Sequence, residues 1–157
     1  MNVTITRVTP DTVDEVDAVA ALQSQSFTNP WSADSLRWEI TNTDVARLYV
    51  MRAAEADRAV IGFCACWVIL DELHINSLAI ADAYRRRGLA SRLLKEICRD
   101  ARGSGATQAT LEVRRSNRPA VALYEKLGFQ CEGVRADYYQ SPREDALVLW
   151  CRDLAVV

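Results

Sequence analysis

Apolar and polar side chains alternate over Val3 to Arg7, the period-two pattern of a short strand with one buried face. Asp11 to Phe27 follows with helical spacing, opened by acidic residues that suit the positive end of a helix dipole, and Asn29-Pro30 breaks it. Ser32 is placed to cap a second short helix reaching about Thr41, with Leu36 and Ile40 four apart on one face. Two apolar, β-rich runs, Ala46 to Ala53 and Ala59 to Leu70, flank the polar stretch Ala54 to Arg58 and predict an antiparallel hairpin. In Glu72 to Ile80 the apolar positions are Leu73 and Ile75, then Leu78 and Ile80, so the period of two slips around Asn76-Ser77. A β-bulge produces such a slip, and so does an ordinary strand end.

From Leu89 the pattern turns helical. Leu89, Leu93, Leu94, Ile97, Cys98 and Ala101 form one stripe, Arg92, Lys95, Glu96, Arg99 and Asp100 face water, and Gly103 and Gly105 end the helix. Gln108 to Arg114 reads as a strand with Ala109, Leu111 and Val113 on one face and Thr110, Glu112 and Arg114 on the other. A helix over Arg118 to Leu127 stops at Gly128, and Phe129 to Tyr139 with Asp145 to Asp153 makes a closing hairpin around Ser141-Pro142-Arg143. The element order implies an α/β (α+β) fold. Its mixed, mostly antiparallel sheet contains a local parallel strand-helix-strand unit, with helices on both faces.

Composition narrows this further. With 157 residues, half of them hydrophobic, and no repeat or linker, residues 1–157 are expected to form one domain with a real core. A net charge of -2 gives no overall reason to bind nucleic acid, so basic clusters need local explanations. The longest apolar run, Ala59 to Leu70, is well short of the ~20 residues of a membrane-spanning helix, and the N-terminus shows no secretory pattern. A cytoplasmic location without membrane contact is expected. The five cysteines are scattered, and Cys64 and Cys66, alternate residues of one strand, pair poorly, so free thiols are expected. His74 is the one histidine and has no ligand cluster around it, so no metal site is expected.

One basic cluster has a specific setting. Ile80 ends a strand, Ala81 to Tyr84 is a short connection, and Arg85-Arg86-Arg87-Gly88 runs straight into the helix at Leu89. Free N–H groups and the helix dipole make such a terminus an anion site, and Gly88 lets the backbone approach a phosphate. Arginines placed there without an anion would oppose the dipole. One glycine and no Gly-Lys-Ser/Thr rule out a Walker A loop.

This turn, Arg85-x-x-Gly88-x-Ala90, resembles the acyl-CoA signature Q/R-x-x-G-x-G/A of the GNAT acyltransferases. The resemblance extends through Leu78-Ala79-Ile80, Leu111-Glu112-Val113-Arg114, Ser116-Asn117, Ala122 to Phe129, and Tyr138-Tyr139 followed by Arg143 to Ala146. Together these cover about half the chain in the family's order. Within the family they look most like the bacterial RimI group, which acetylates the N-terminal alanine of a small-subunit ribosomal protein, and Asn29-Pro30-Trp31-Ser32 agrees with that subgroup.

The resemblance implies a GNAT fold, acetyl-CoA as co-substrate, a protein N-terminus as partner, and site residues. Cofactor contacts are expected from Leu78, Ala79, Ile80, Arg86, Arg87, Gly88, Leu89, Ala90, Ser91 and Asn117, with Arg85 serving the turn's geometry. Read alone, Glu112 is an exposed strand glutamate and Tyr124 a core aromatic; the resemblance makes them general base and general acid. Chemistry accommodates both roles, because the attacking amine must be neutral and the leaving thiolate needs a proton. An α-amine, with a pKa of about 7.7 to 8.0 against about 10.4 for lysine, asks less of the base. Asn117 can also cap the helix that carries Tyr124. Acceptor contacts are expected from Trp31, which is equally readable as core, and from Tyr138 and Tyr139, which a regular strand would point to opposite faces. A small-molecule amine or lysine acceptor, or a non-catalytic acyl-CoA-binding partner subunit, are the alternatives.

Overall fold

The computed structural model describes residues 1–12 and 15–157. The strands are β1 (Val3–Arg7), β2 (Ala46–Ala53), β3 (Val60–Ile69), β4 (Glu72–Ile80), β5 (Gln108–Arg114), β6 (Gln130–Tyr139) and β7 (Glu144–Cys151). The helices are α1 (Glu15–Ser26), α2 (Ala33–Thr41), α3 (Leu89–Gly103) and α4 (Arg118–Lys126). All seven strands share one sheet in the order β1-β2-β3-β4-β5-β7-β6. Among the described strands only β4 and β5, joined through α3, pair in parallel.

The sheet is covered on both faces, which is why β2 and β3 read as nearly continuous apolar runs. Leu48 and Val50 of β2 pack with Val16, Val19 and Leu22 of α1 and Leu36 and Ile40 of α2. Their neighbours Tyr49 and Met51 point the other way, into a second cluster with Leu93, Leu94 and Ile97 of α3. The whole predicted stripe of α3 is buried. Ser32 caps α2 as expected, its hydroxyl accepting from the Ser35 N–H at 3.1 Å.

The first helix differs from its expected span. Pro10–Thr12 is a separate 3-10 turn, in which the Thr12 hydroxyl accepts from the Thr9 N–H and donates to the Thr9 carbonyl, at 2.9 and 3.0 Å. Such local side-chain bonds compete with helix formation. Residues 13–14 of the expected helix lie outside the described residues, and α1 proper begins at Glu15. Thr110, on the same face of β5 as Glu112, is 6% exposed, and its hydroxyl donates to the Leu149 carbonyl at 3.0 Å.

The β4 irregularity sets up the site. Ala65 pairs with Ser77 and Cys66 with Ile75, so Asn76 has no partner across the ladder, and the slip in the sequence is a β-bulge. Parallel pairing of β4 with β5 runs from Glu72↔Gln108 to Ile75↔Leu111 and stops one residue before that bulge. Beyond it β4 stays with β3 and β5 with β7, through Gly62↔Ile80 and Arg114↔Ala146. A bulge bends its strand and increases the local twist. Here it accompanies a wedge that opens between two strands at the centre of the sheet.

Candidate active site

Past Ile75 and Leu111 the N–H and C=O groups of β4 and β5 that face each other are no longer spent on pairing, and they border a cavity of about 490 Å3. One wall is Ile75 to Leu78, the other Leu111 to Arg114, and α4 closes the wedge with Ala120, Leu123 and Tyr124. Free strand edges of this kind accept an extended, amide-bearing chain by the same bonds that build a sheet. Leu78 lines the wedge, whereas the side chains of Ala79 and Ile80 are 6% exposed and packed in the two cores, so these two have only backbone to offer.

Glu112 and Tyr124 both line this wedge. The Glu112 carboxylate is partly buried and lies 3.4 Å from Arg135 Nε. Tyr124, 7% exposed, packs edge-to-face on Phe129 with ring centroids 5.7 Å apart. Its hydroxyl has no hydrogen-bond partner among the described residues, and because no buried side-chain N or O atom among them lacks one, the hydroxyl opens onto the cavity. Burial, and then the nearby Cys64 and Tyr139, push its pKa well above the usual tyrosine value. The group therefore holds its proton at neutral pH and is suited to give it rather than take one. Asn117 caps α4, its Oδ1 accepting from the Ala120 N–H at 3.3 Å, and its place on the wedge is compatible with a second role.

Gln23 was not singled out by the sequence pattern. It is 1% exposed; its Nε2 donates to Ser77 Oγ at 3.0 Å and its Oε1 accepts from the Trp31 N–H at 3.4 Å. One buried amide thus ties the bulged strand to the loop carrying Trp31. The available signal was a polar residue on the apolar stripe of α1, seven positions after Val16. Arg114 performs a similar task on the opposite wall. Its guanidinium donates to the carbonyls of Pro142 and Gln140, at 2.9 and 3.1 Å, and lies 4.4 Å from the Tyr139 ring centroid. His74 bonds Glu72 Oε2 at 2.8 Å, a structural role.

A second cavity of about 800 Å3 meets the first at Trp31, Asn76, Glu112 and Tyr139. Both Tyr138 and Tyr139 line it, whereas a regular strand would have pointed them to opposite faces. The β6 ladder shifts register between Arg135 and Tyr139, with Asp137 in the left-handed region at φ 53°, and this break turns both rings to one side, 5.0 Å apart. The far wall adds Trp38 and Glu39 of α2 and Trp67 of β3. Glu39, 4% exposed, accepts from Trp67 Nε1 at 3.2 and 3.1 Å. Burial raises its carboxyl to about 7 against the lowering effect of that bond.

A carboxyl whose folded pKa lies above its unfolded value contributes stability below the unfolded pKa and loses it as pH rises through the folded one. Glu39→Gln removes this titration while keeping shape and bonding. The variant is expected to match the parent near pH 5 and to exceed its stability by on the order of 2 kcal/mol near pH 8. Urea unfolding at the two pH values measures this, and an equal effect at both would refute it.

The basic turn leads into α3 from the end of β4. Gly88, the N-cap, and Arg86 both occupy the left-handed region, at φ 73° and 62°. The first helical bond runs from the Arg92 N–H to the Gly88 carbonyl at 3.1 Å, so the N–H groups of Leu89, Ala90 and Ser91 precede it at the open end of the helix. Arg85 is turned back, its Nε on the Ile80 carbonyl at 3.0 Å and its NH1 on Asp82 at 2.8 Å, as its expected geometric role requires. Arg87 leans on the Ala83 carbonyl at 3.3 Å, and Arg86 is exposed. Leu89 is buried and brings only its backbone. Gly88 and Ser91 also edge a groove in which four cations, Arg92, Lys95, Arg99 and Arg102, outnumber the one carboxylate side chain, Glu96, which pairs with Arg99.

Comparison with known proteins gives this arrangement a context. The Acetyltransferase (GNAT) family matches residues 16–129. The chain is similar to a Bacillus subtilis protein provisionally named a [ribosomal protein bS18]-alanine N-acetyltransferase, at 36% identity over 141 residues, 88% of this chain and 89% of that protein. It is similar to the [ribosomal protein bS18]-alanine N-acetyltransferase of Haemophilus influenzae, at 33% identity over 133 residues, 83% and 87% of the two chains. The crystal structure of the ribosomal-protein-S18-alanine N-acetyltransferase from Escherichia coli superposes with a TM-score of 0.83 at 26% identity, over 95% of this chain and 92% of that one.

Proposed function

The chain belongs to the GNAT acetyltransferase family, and we propose that it transfers the acetyl group of acetyl-CoA to the α-amine of an N-terminal alanine on a small-subunit ribosomal protein. The Bacillus subtilis and Haemophilus influenzae relatives carry that activity in their names. The observation that carries the proposal is the junction at Glu112, where the wedge between β4 and β5 meets a second, aromatic-walled cavity. Thioester and amine enter from different sides and meet beside one carboxylate. Residues 1–157 act together as one such domain, in the cytoplasm.

The residues present fit acetyl-CoA. The turn from Arg86 to Ser91 offers N–H groups and cations to a pyrophosphate, and the free edges of β4 and β5 match the amides of the cofactor's arm. Glu112 takes a proton from the amine, directly or through water, as nitrogen attacks the thioester carbonyl. Backbone N–H groups near the Asn76 bulge stabilise the charge that develops on oxygen. The carbon–sulfur bond then breaks, and Tyr124 donates its proton to the departing sulfur.

Gly88→Val places a branched side chain in the left-handed region, and its Cβ projects into open space above the turn, where nothing lies within 4 Å. Calorimetric titration with CoA is expected to show affinity weakened by more than about tenfold, because the side chain occupies the phosphate's approach. Unchanged affinity would remove the turn from the site. The activity itself is tested by incubating the purified chain with acetyl-CoA and an alanine-starting ribosomal-protein peptide, which is expected to become acetylated. Transfer to polyamines alone, or CoA binding without transfer to any amine, would overturn the proposal.

A further inference from the structure

The cavity beside Glu112 has a composition that its catalytic partner does not require. Its lining includes three carboxylates, Asp34, Glu39 and Glu112, and no lysine or arginine. Arg37 holds Asp34 at 3.0 Å and Arg135 holds Glu112 at 3.4 Å, whereas Glu39 makes no ion pair among the described residues. It is also the most enclosed of the three, and its single donor is the neutral Trp67 indole, shared between both oxygens. A carboxylate has about four acceptor positions, so most of its capacity is unused. Beside it Trp38, 46% exposed, meets Trp67 edge-to-face with centroids 6.0 Å apart, so two indoles form a corner around the carboxylate.

We propose that Glu39, Trp38 and Trp67 form a subsite for a cationic side chain, lysine or arginine, at the second or third residue of the acceptor. The inference rests on α-amine acetylation at Glu112, since that reaction places the chain following the first residue in this cavity. A flat, electron-rich indole and a buried anion together select a cation on a long apolar stem, whose methylenes pack on the rings while its charge meets the carboxylate. An apolar residue of the same length fills the space but leaves Glu39 as it is. An acidic residue brings a second negative charge against it. Such a guest also relieves the conflict of charge and burial that raises the Glu39 carboxyl.

The test is steady-state acetylation of alanine-starting peptides that carry lysine, norleucine or glutamate at position two or three. With the parent enzyme, kcat/KM is expected to fall about tenfold from lysine to norleucine at one of these positions, and further to glutamate. In Glu39→Gln the lysine-to-norleucine ratio is expected to approach one at that position. Should that variant not fold, Trp38→Leu, at an exposed ring, is expected to lower the same ratio. No preference for lysine in the parent enzyme, or the full preference kept in the variant, would overturn the subsite while leaving α-amine acetylation intact. Failure to acetylate any of the alanine peptides would overturn both.

Discussion

Tyr124→Phe is expected to lower kcat by about 10²- to 10³-fold while leaving the melting temperature and the affinity for CoA close to those of the parent chain. The ring is held by packing, with its centroid 5.7 Å from that of Phe129, and phenylalanine keeps that contact. Its hydroxyl makes no hydrogen bond among the described residues, so nothing inside the fold is left unpaired by its loss. On the proposed mechanism, what disappears is the proton that the leaving sulfur takes. Because burial pushes this hydroxyl above the usual tyrosine range, it stays protonated throughout the working pH range, and the parent profile should show no descending limb from its ionisation below about pH 10. Single-turnover kinetics with saturating acetyl-CoA separate the chemical step from product release. A variant with parental kcat would assign the proton to another group, and Tyr139, which lines the same junction with its pKa pushed up to about 12 mainly by burial, is the candidate.

Glu112→Gln is expected to lower kcat/KM by about 10²- to 10⁴-fold at neutral pH, with CoA binding unaffected. Its loss should be partly recovered as pH rises from 7 to 9, because an α-amine with a pKa of about 7.7 to 8.0 then loses its proton without help. A purely electrostatic role for the carboxylate would give a deficit that does not narrow with pH. Arg135, 3.4 Å away and otherwise exposed, is free to turn into solvent once its partner becomes neutral, so the fold is not expected to suffer. Parallel rate measurements across that pH interval, for parent and variant on one alanine-starting peptide, decide between the two roles.

Features controlled by short-range pattern were legible in the chain itself. The stripe of α3 has a strict helical period, and all six residues expected on it are buried. The slip at Asn76 appeared as a break in a period of two, and the register places a bulge there. Only resemblance to known enzymes singled out Glu112 as a candidate, since a partly buried strand glutamate carries no signal of its own. Features that depend on distant partners were not legible. Glu39 sits on α2, but it acquires its character from Trp67, 28 positions later, and from burial that no local spacing records. Gln23 is bound to Ser77 across 54 positions. The turned pair Tyr138 and Tyr139 depends on a left-handed Asp137, and aspartate adopts that conformation too seldom to be predicted from its identity.

Transfer to an α-amine at the junction of the two cavities is tested most directly with one peptide that offers both kinds of amine, an N-terminal alanine and an internal lysine. After incubation with the purified chain and acetyl-CoA, fragment-ion mass spectrometry locates the acetyl group. The expected result is acetylation of the alanine nitrogen with the lysine unmodified, and loss of that product in Glu112→Gln and Tyr124→Phe at neutral pH. Acetyl on the lysine side chain, or equal product from the parent chain and both variants, would contradict it.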